Sequence, residues 1–377
     1  MARDTLSFLR DLVAIDSVNP SLAPEHVGEG QVAEAVGDYL REVGLEVSFQ
    51  DAAPERPNVI GVLDSGKKGP SLLFCGHTDT VGVDGMERPF DPVYADGRIY
   101  GRGSQDMKGG LVAMIGAAKV IAELGGPKAG RLIVAGVIDE EYTSIGARTF
   151  VKDWTADAAV VGEPTDMSVA IGHKGFEWVE IDVEGRAAHG SRPTEGQDAI
   201  FRMGRVLRKL ETLDQDLQNR GPDRLMGTGS LHGSFVEGGS EWSTYPDRCT
   251  LRLERRTIAG EPDKVSLAEV EAIIRDLRLE DSDFRASVKY VFGQPPYETP
   301  VDHPLASALQ RALQELGHKA ETSSMTFWTD AAILGRAGIP SVIFGPRGKG
   351  LHSTEEYVIA EDILACESAL VRLVKTF

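Results

Sequence analysis

Ser71-Leu-Leu-Phe-Cys-Gly-His77-Thr-Asp79-Thr80 is an apolar run that ends in a histidine and an aspartate two residues apart. The run fits a buried strand, with His77 and Asp79 at or just past its C-terminal end, where open α/β sheets place their ligand sites. Residues two apart on an extended chain point to the same side. His77 could therefore hold a divalent metal while Asp79 orients its ring. The plain alternative is a His-x-Asp pair in a loop without metal, so the rest of the chain has to decide. Downstream, Gly101-Arg-Gly-Ser-Gln-Asp106-Met-Lys-Gly-Gly110 delivers a second aspartate through a glycine-rich turn, just ahead of an apolar helical pattern.

Strands and helices alternate on both sides of this centre. Helical spacing is seen at Leu6, Leu9, Leu12 and Val13, over residues 31–43, and over 107–124 up to Gly125-Gly126. Short β-rich runs fall at 45–49, 58–63, 72–75, 132–138 and 158–161, with a helix at 145–152. Such alternation predicts an α/β fold with a mostly parallel, helix-covered sheet. From about Phe176 the texture changes. Strands at 177–183, 230–236, 249–255 and 286–291, with helices at 199–213 and 267–279, follow the β-α-β-β-α-β order of a ferredoxin-like α+β domain. After Gly293-Gln-Pro-Pro-Tyr297 the α/β texture resumes, with helices at 303–316, 330–337 and 360–375 and a strand at 341–344. The expected organisation is one domain of residues 1–175 and 294–377, interrupted by a smaller one of 176–293. A cleft between such domains suits a small molecule.

With 377 residues, 40 Lys plus Arg and 58 Asp plus Glu, the formal charge is −18, which disfavours nucleic acid and anionic membrane surfaces as partners. The three cysteines, Cys75, Cys249 and Cys366, form no CxxC pair and argue for a reducing compartment. Neither an apolar leader pattern nor a run long enough to span a bilayer is found, so the expected location is cytoplasmic.

Four further elements carry chemistry. Asp139-Glu140-Glu141 follows the 132–138 strand, and Glu163 follows the 158–161 strand. His189 lies in a turn of the insert, and His352 follows the Gly345-Pro346 turn near the C-terminus. Adjacent carboxylates such as Glu140 and Glu141 repel unless something cationic lies between them. A divalent metal removes both that repulsion and the cost of burying anions. An isolated acidic triplet reads as a solvated turn, but acidic groups recurring at successive strand ends with two histidines do not.

In order and spacing, Gly76-His77-Thr-Asp79, Tyr100-Gly-Arg-Gly-Ser-Gln-Asp106-Met-Lys-Gly-Gly, Asp139-Glu-Glu141, Gly162-Glu-Pro-Thr165, Ala188-His189-Gly-Ser-Arg-Pro193 and Phe344-Gly-Pro followed by His352 resemble the M20 family of zinc-dependent amidohydrolases and peptidases. That group includes acetylornithine deacetylase, succinyl-diaminopimelate desuccinylase, aminoacylases and glutamate carboxypeptidase. The resemblance implies a zinc-peptidase-like catalytic domain with an inserted lid that also dimerises. It implies two divalent metal ions, zinc most often, with cobalt or manganese also suited to the ligands. His77, Asp106 and Glu163 would hold one ion; Asp106, Glu141 and His352 would hold the other. Glu140 would be the general base and acid, Asp79 would brace His77, and His189 would stabilise the oxyanion from the partner subunit of a homodimer. Arg256 would grip the substrate carboxylate, as arginine suits, and Gly345 would lie along the substrate. Ser243 stands where the family commonly carries a substrate-contacting asparagine.

The expected activity is metal-dependent hydrolysis of the amide bond of an N-acyl amino acid. A carboxypeptidase releasing a C-terminal residue from a short peptide uses the same machinery. A non-catalytic scaffold of the same fold has no use for a free base beside five ligands. Trp242, Tyr245 and Trp328 are either core residues or the walls of an apolar acyl pocket. His26, His173, His232, His303 and His318 have no ligand spacing, and Cys75 is expected to pack.

Overall fold

The computed structural model describes residues 4–377; Met1–Arg3, where the N-terminal reading begins, lie outside them. The chain divides into two compact units. One runs up to Gly172 and includes Thr299–Ser324 and Thr329–Phe377; the other comprises His173–Glu298 with Met325–Trp328.

The sheet of the first unit runs in the order Glu46–Ala53, Arg56–Asp64, Arg131–Val137, Ser71–His77, Ala158–Val161, Ser341–Ile343 and Val169–His173. Its four central strands, from Arg131–Val137 to Ser341–Ile343, are parallel, and the flanking pairs are antiparallel. The central strands are buried along almost their whole length, as strands covered on both faces must be. Gly109–Glu123 is apolar nearly all round and accordingly buried, lying against the sheet and against the C-terminal helix Ala360–Thr376. Gly30–Glu42 and Ile145–Asp153 also pack on the sheet. The helix expected from Met107 starts at Gly109, because Asp106 (φ −114°, ψ 95°) and Met107 take non-helical backbone angles inside a π-turn, Ser104–Lys108. A small antiparallel sheet of Gly348–Lys349, Tyr357–Ile359, Arg98–Tyr100 and Val93–Ala95 escaped the sequence reading, since strands of two or three residues show no periodicity.

The second unit has the expected β-α-β-β-α-β order. Its antiparallel sheet runs Ser230–Gly238, Arg248–Thr257, Gly175–Glu184, Arg285–Gln294. Odd-numbered residues such as Val179, Ile181, Leu251 and Leu253 face helices Ala199–Asn219 and Val265–Glu280 and build a core with Met203, Val206 and Ile274. In Gly175–Glu184 and Arg248–Thr257 the even-numbered residues lie on the open face. Buried Leu217 explains why the first of these helices extends past Leu213 to Asn219. No helix among the described residues is long and apolar enough to cross a membrane. Leu251→Ala leaves a cavity under this sheet and should cost about 2–5 kcal/mol in chemical denaturation of the full chain.

Candidate metal centre

Three neighbouring parallel strands end side by side. His77 pairs with Val137, and Cys75 with Val161. The residues just past those ends, His77, Glu140, Glu141 and Glu163, therefore converge at the C-terminal edge of the sheet. Asp106 reaches the same point from the π-turn, and His352, at φ 57°, from the loop before Tyr357–Ile359. Close backbone approach makes this possible. A Cβ on Gly110 would lie 1.8 Å from Gly162 O, and one on Gly345 would lie 2.3 Å from Glu163 O. Gly345 is buried, and packing alone accounts for a glycine there.

Asp106 divides its two oxygens. Oδ1 lies 3.2 Å from His77 Nε2, and Oδ2 lies 3.4 Å from His352 Nε2. Glu163 Oε1 is 3.8 Å from His77 Nε2, and Glu141 Oε2 is 3.1 Å from His352 Nε2. Two groups that could hold an ion result, His77–Asp106–Glu163 and Asp106–Glu141–His352, with donor atoms within 4.8 Å of one another in each. His77 Nδ1 lies 3.0 Å from the Asp79 main-chain carbonyl and 3.5 Å from its carboxylate. Donation to that carbonyl fixes a proton on Nδ1, so Nε2, which faces Asp106, is the nitrogen a metal would take in exchange for its proton.

Charge balance shows what the donor set fits. Burial, and next the Glu163 charge, push the Glu140 carboxyl well above its ordinary value. Burial and then Asp106 push Glu141 up to about 7. Burial also raises Glu163. His352 is pushed up to about 10 by its bonds to Asp106 and Glu141. Burial opposes a charged His77, yet the Asp106 and Asp79 carboxylates hold it well above its usual value. Glu141 Oε1 is buried without a hydrogen-bond partner. Protons and imidazolium ions thus occupy the places that divalent cations would neutralise, and the oxygen and imidazole donors fit such ions.

Several supporting residues were invisible to the sequence reading. The Asp79 carboxylate accepts from the backbone N–H groups of Glu140 (3.1 Å) and Glu141 (3.2 Å), so it holds the turn carrying both glutamates as well as facing His77. Asn19 donates to Asp79 at 2.8 Å and to Asp139 at 3.0 Å, and Arg56 pairs with Glu29 at 2.5 Å and with Asp139 at 3.2 Å. Asn19 belongs to Ser17-Val-Asn-Pro20, shortly after the first helix, Thr5–Val13. Buried Glu356 accepts from Arg102 Nη1 (2.7 Å) and from the N–H groups of Gly103 (3.0 Å), Gln105 (2.8 Å) and Asp106 (3.1 Å). Arg102 Nη2 also donates to Ser353 O at 2.9 Å, so one ion pair ties the Asp106 turn to the His352 loop. Asp330 is a further buried carboxyl, pushed up to about 7 by burial, with Oδ1 unpartnered. No motif spacing pointed to any of these.

The remaining candidate site residues, His189, Ser243 and Arg256, belong to the second unit. His189 is exposed, and the Ser191 N–H donates to its Nδ1 at 3.2 Å, which leaves the proton on Nε2. Exposed Ser243 accepts through its main-chain carbonyl from Gly190 N at 2.6 Å, so the His189 and Ser243 loops pair. Arg256 Nε donates to Glu254 at 2.6 Å. Trp328 packs edge-on to buried His173 and donates to Pro295 O at 3.0 Å, whereas the Trp242 side chain is in solvent; neither forms a pocket wall with the other. All three cysteines are buried and free.

Residues 73–376 match peptidase family M20/M25/M40. The chain belongs to this family. Acetylornithine deacetylase of Myxococcus xanthus is 31% identical over 399 residues, covering 99% of this chain and 98% of that protein. A tripeptidase from Staphylococcus aureus shares the fold at TM-score 0.81 and 22% identity, covering 99% of this chain and 97% of that one. A dinuclear metal-binding M20 peptidase from Bacillus subtilis does so at TM-score 0.74 and 16% identity, covering 99% and 97%. This M20 chain is therefore a hydrolase of amide bonds that works with divalent metal.

Glu141 raised above its ordinary 4.5 binds a proton when folded that the unfolded chain has released, so metal-free stability falls as pH rises through about 7. His352, raised from 6.5 to about 10, adds stability that is full below 6.5 and is lost as pH rises through 10. The Tm of the metal-free protein should therefore fall steadily from pH 5 to pH 9, and added zinc should raise it most at the alkaline end. A Tm that is flat or rising across that range in chelator would contradict this balance. Glu356→Ala should weaken metal binding at the Asp106–Glu141–His352 group by about 10- to 100-fold, measured by competition with a chelating dye, with less effect on the His77 group.

Proposed function

We propose that this enzyme removes the acyl group from N-acyl amino acids, acting as a deacetylase-like amidohydrolase. The observation that carries this reading is the Asp106 carboxylate shared between two His/carboxylate groups, with Glu140 beside it. The Glu140 carboxylate takes no hydrogen bond from another described residue, so it is free to exchange protons. The 31% identity to an acetylornithine deacetylase supports the substrate class.

In this reading His77, Asp106 and Glu163 would hold one ion and Asp106, Glu141 and His352 the other, zinc being the best match to these donors and cobalt or manganese acceptable. Bound there, such ions would supply Lewis acidity toward the scissile carbonyl and toward water. Glu140 takes the proton of the attacking water and returns it to the leaving amine. Its raised proton affinity suits both halves of that transfer. Asp79 holds the Glu140–Glu141 turn by two backbone bonds while facing His77. His189, with its proton on Nε2, donates to the developing oxyanion. Arg256 binds the substrate carboxylate, and Ser243 and Gly345 line the substrate's path.

The second unit serves as lid and dimerisation domain. Its end strand, Ser230–Gly238, presents an unpaired outer edge with Val236 59% exposed, a template on which a second copy can pair to form a homodimer. Three buried free thiols fit a cytoplasmic enzyme.

Zinc- or cobalt-loaded protein should hydrolyse N-acetyl or N-succinyl amino acids in preference to C-terminal dipeptides. Glu140→Ala should lower kcat by at least about 100-fold while bound metal, measured by elemental analysis, is retained. Activity that survives this substitution would remove Glu140 from the mechanism, and a preference for dipeptides would make the protein a carboxypeptidase.

A further inference from the structure

Lys108 is the one lysine among the described residues that is fully buried. It follows Asp106 by two positions and ends the π-turn, where its backbone N–H donates to Gly103 O at 2.9 Å. Its side chain reaches the first helix, Thr5–Val13: Nζ donates to Leu12 O at 2.9 Å and to Ile15 O at 3.0 Å. These acceptors lie at the C-terminal end of the helix, where carbonyls fall beyond its regular hydrogen-bond ladder and carry the negative end of its dipole. Among the described residues Nζ makes no ion pair. Glu356, Asp16 and Asp79 are near enough to attract it without touching it. Capping alone is a weak reason to bury a lysine, since an exposed one caps a helix end as well and keeps its hydration.

The accepting carbonyls open a segment that also serves the other half of the metal centre. Ser17 O accepts from Thr80 N at 3.0 Å, Thr80 O accepts from Asn19 N at 2.9 Å, and Asn19 Nδ2 donates to Asp79 and Asp139. The Ser17 and Thr80 hydroxyls are buried without partners among the described residues, so backbone bonds carry the tie between these two segments. Gly103, at the start of the Asp106 turn, packs against the same parts. A Cβ there would lie 2.7 Å from Thr80 Cγ2 and 3.2 Å from Lys108 Cδ. Residues 12–19 thus hold Asp79, which faces His77 and binds the Glu140–Glu141 turn, and Lys108 fastens them to Asp106. The Asp106 turn is gripped from two sides: Glu356 and Arg102 join it to the His352 loop, and Lys108 joins it to the segment that holds Asp79. Two N–H groups suffice for the Lys108 grip, and the amine keeps two whether or not it is charged.

We infer that Lys108 is a positioning residue for the metal centre: it fixes the Asp106 carboxylate relative to His77 by locking the π-turn to the segment that holds Asp79. The inference rests on the reading of Asp106 as a carboxylate shared by two ions. It assigns the two grips to different ions, Lys108 to the His77–Asp106–Glu163 group and Glu356 to the Asp106–Glu141–His352 group. Donors that must face one ion together lose affinity when any of them is displaced, which is why a residue that touches no ligand atom can set how tightly an ion is held.

The test measures zinc affinity of the full chain by competition with a chelating dye, one group at a time. His352→Ala leaves the His77 group to be read alone, and His77→Ala leaves the His352 group. Lys108→Met keeps the aliphatic stem and removes the donors. It should weaken zinc binding about 10- to 100-fold at the His77 group and less than about 3-fold at the His352 group, the reverse of Glu356→Ala. In the cobalt-loaded His352→Ala background it should also change the visible absorption of the ion, which reports coordination. Lys108→Gln, with amide donors on a shorter side chain, should fall between the wild-type chain and Lys108→Met, and it carries the test if the methionine variant does not fold. Leu251→Ala, which destabilises the second unit, should change neither affinity, so a loss of stability is not mistaken for a loss of position. No loss at the His77 group, or equal losses at the two groups, would overturn the inference and leave the shared-ligand reading intact. Fewer than two ions bound to the wild-type chain would overturn that reading and the inference with it. These measurements use no substrate, so their outcome is independent of the deacylase proposal.

Discussion

Like charges crowded at the edge of one sheet are the constraint on which the rest of this structure depends. Asp79, Asp106, Glu140, Glu141 and Glu163 converge where three parallel strands end, with little water to screen them. Such a crowd is tolerable only if cations or protons stand between the carboxylates. The two imidazoles and the raised carboxyls meet that demand in the bare chain, and divalent ions meet it in a working M20 hydrolase. The same arithmetic leaves Glu140 outside both donor groups, with high proton affinity and no partner. Under the proposed function, this leftover carboxyl is the group that would carry the proton.

Holding these groups together needs scaffolding that is itself charged and buried. The Glu29–Arg56–Asn19–Asp139 network grips Asp79, and Asp79 grips the backbone of Glu140 and Glu141. On the other side, the Arg102–Glu356 pair clasps the Asp106 turn and reaches the His352 loop. Buried ion pairs of this kind add little net stability, because desolvation offsets the Coulomb gain. Their value is in geometry: each fixes backbone N–H groups and so aims a side chain that the site requires. His352 has the most exposed side chain of the ligand candidates, 56%, which makes its loop the one most dependent on such a clasp.

The residues that motifs named and the residues that support them differ in a physical way. His77, Glu140, Glu141 and Glu163 were legible because strand-end placement and residue type suffice, and each follows a buried apolar run. Asp106 was legible from its glycine-rich turn, although the π-turn that aims it was not. Asn19, Arg56 and Glu356 act through contacts spanning tens to hundreds of residues in sequence, and nothing local marks Asn19 as a partner of Asp79.

By itself, the sequence determined the order of the longer elements, the β-α-β-β-α-β insert and the chemistry available at the strand ends it located, because these rest on periodicity and residue type. Tertiary structure alone decided how Asp106 divides its oxygens between two histidines, which nitrogen of His77 faces Asp106 and which faces Asp79, and which buried ion pairs hold the ligand loops. Those features depend on distances of a few tenths of an ångström between segments remote in the chain. Hydrogen bonding and charge neutralisation act at that scale, and no local pattern encodes it.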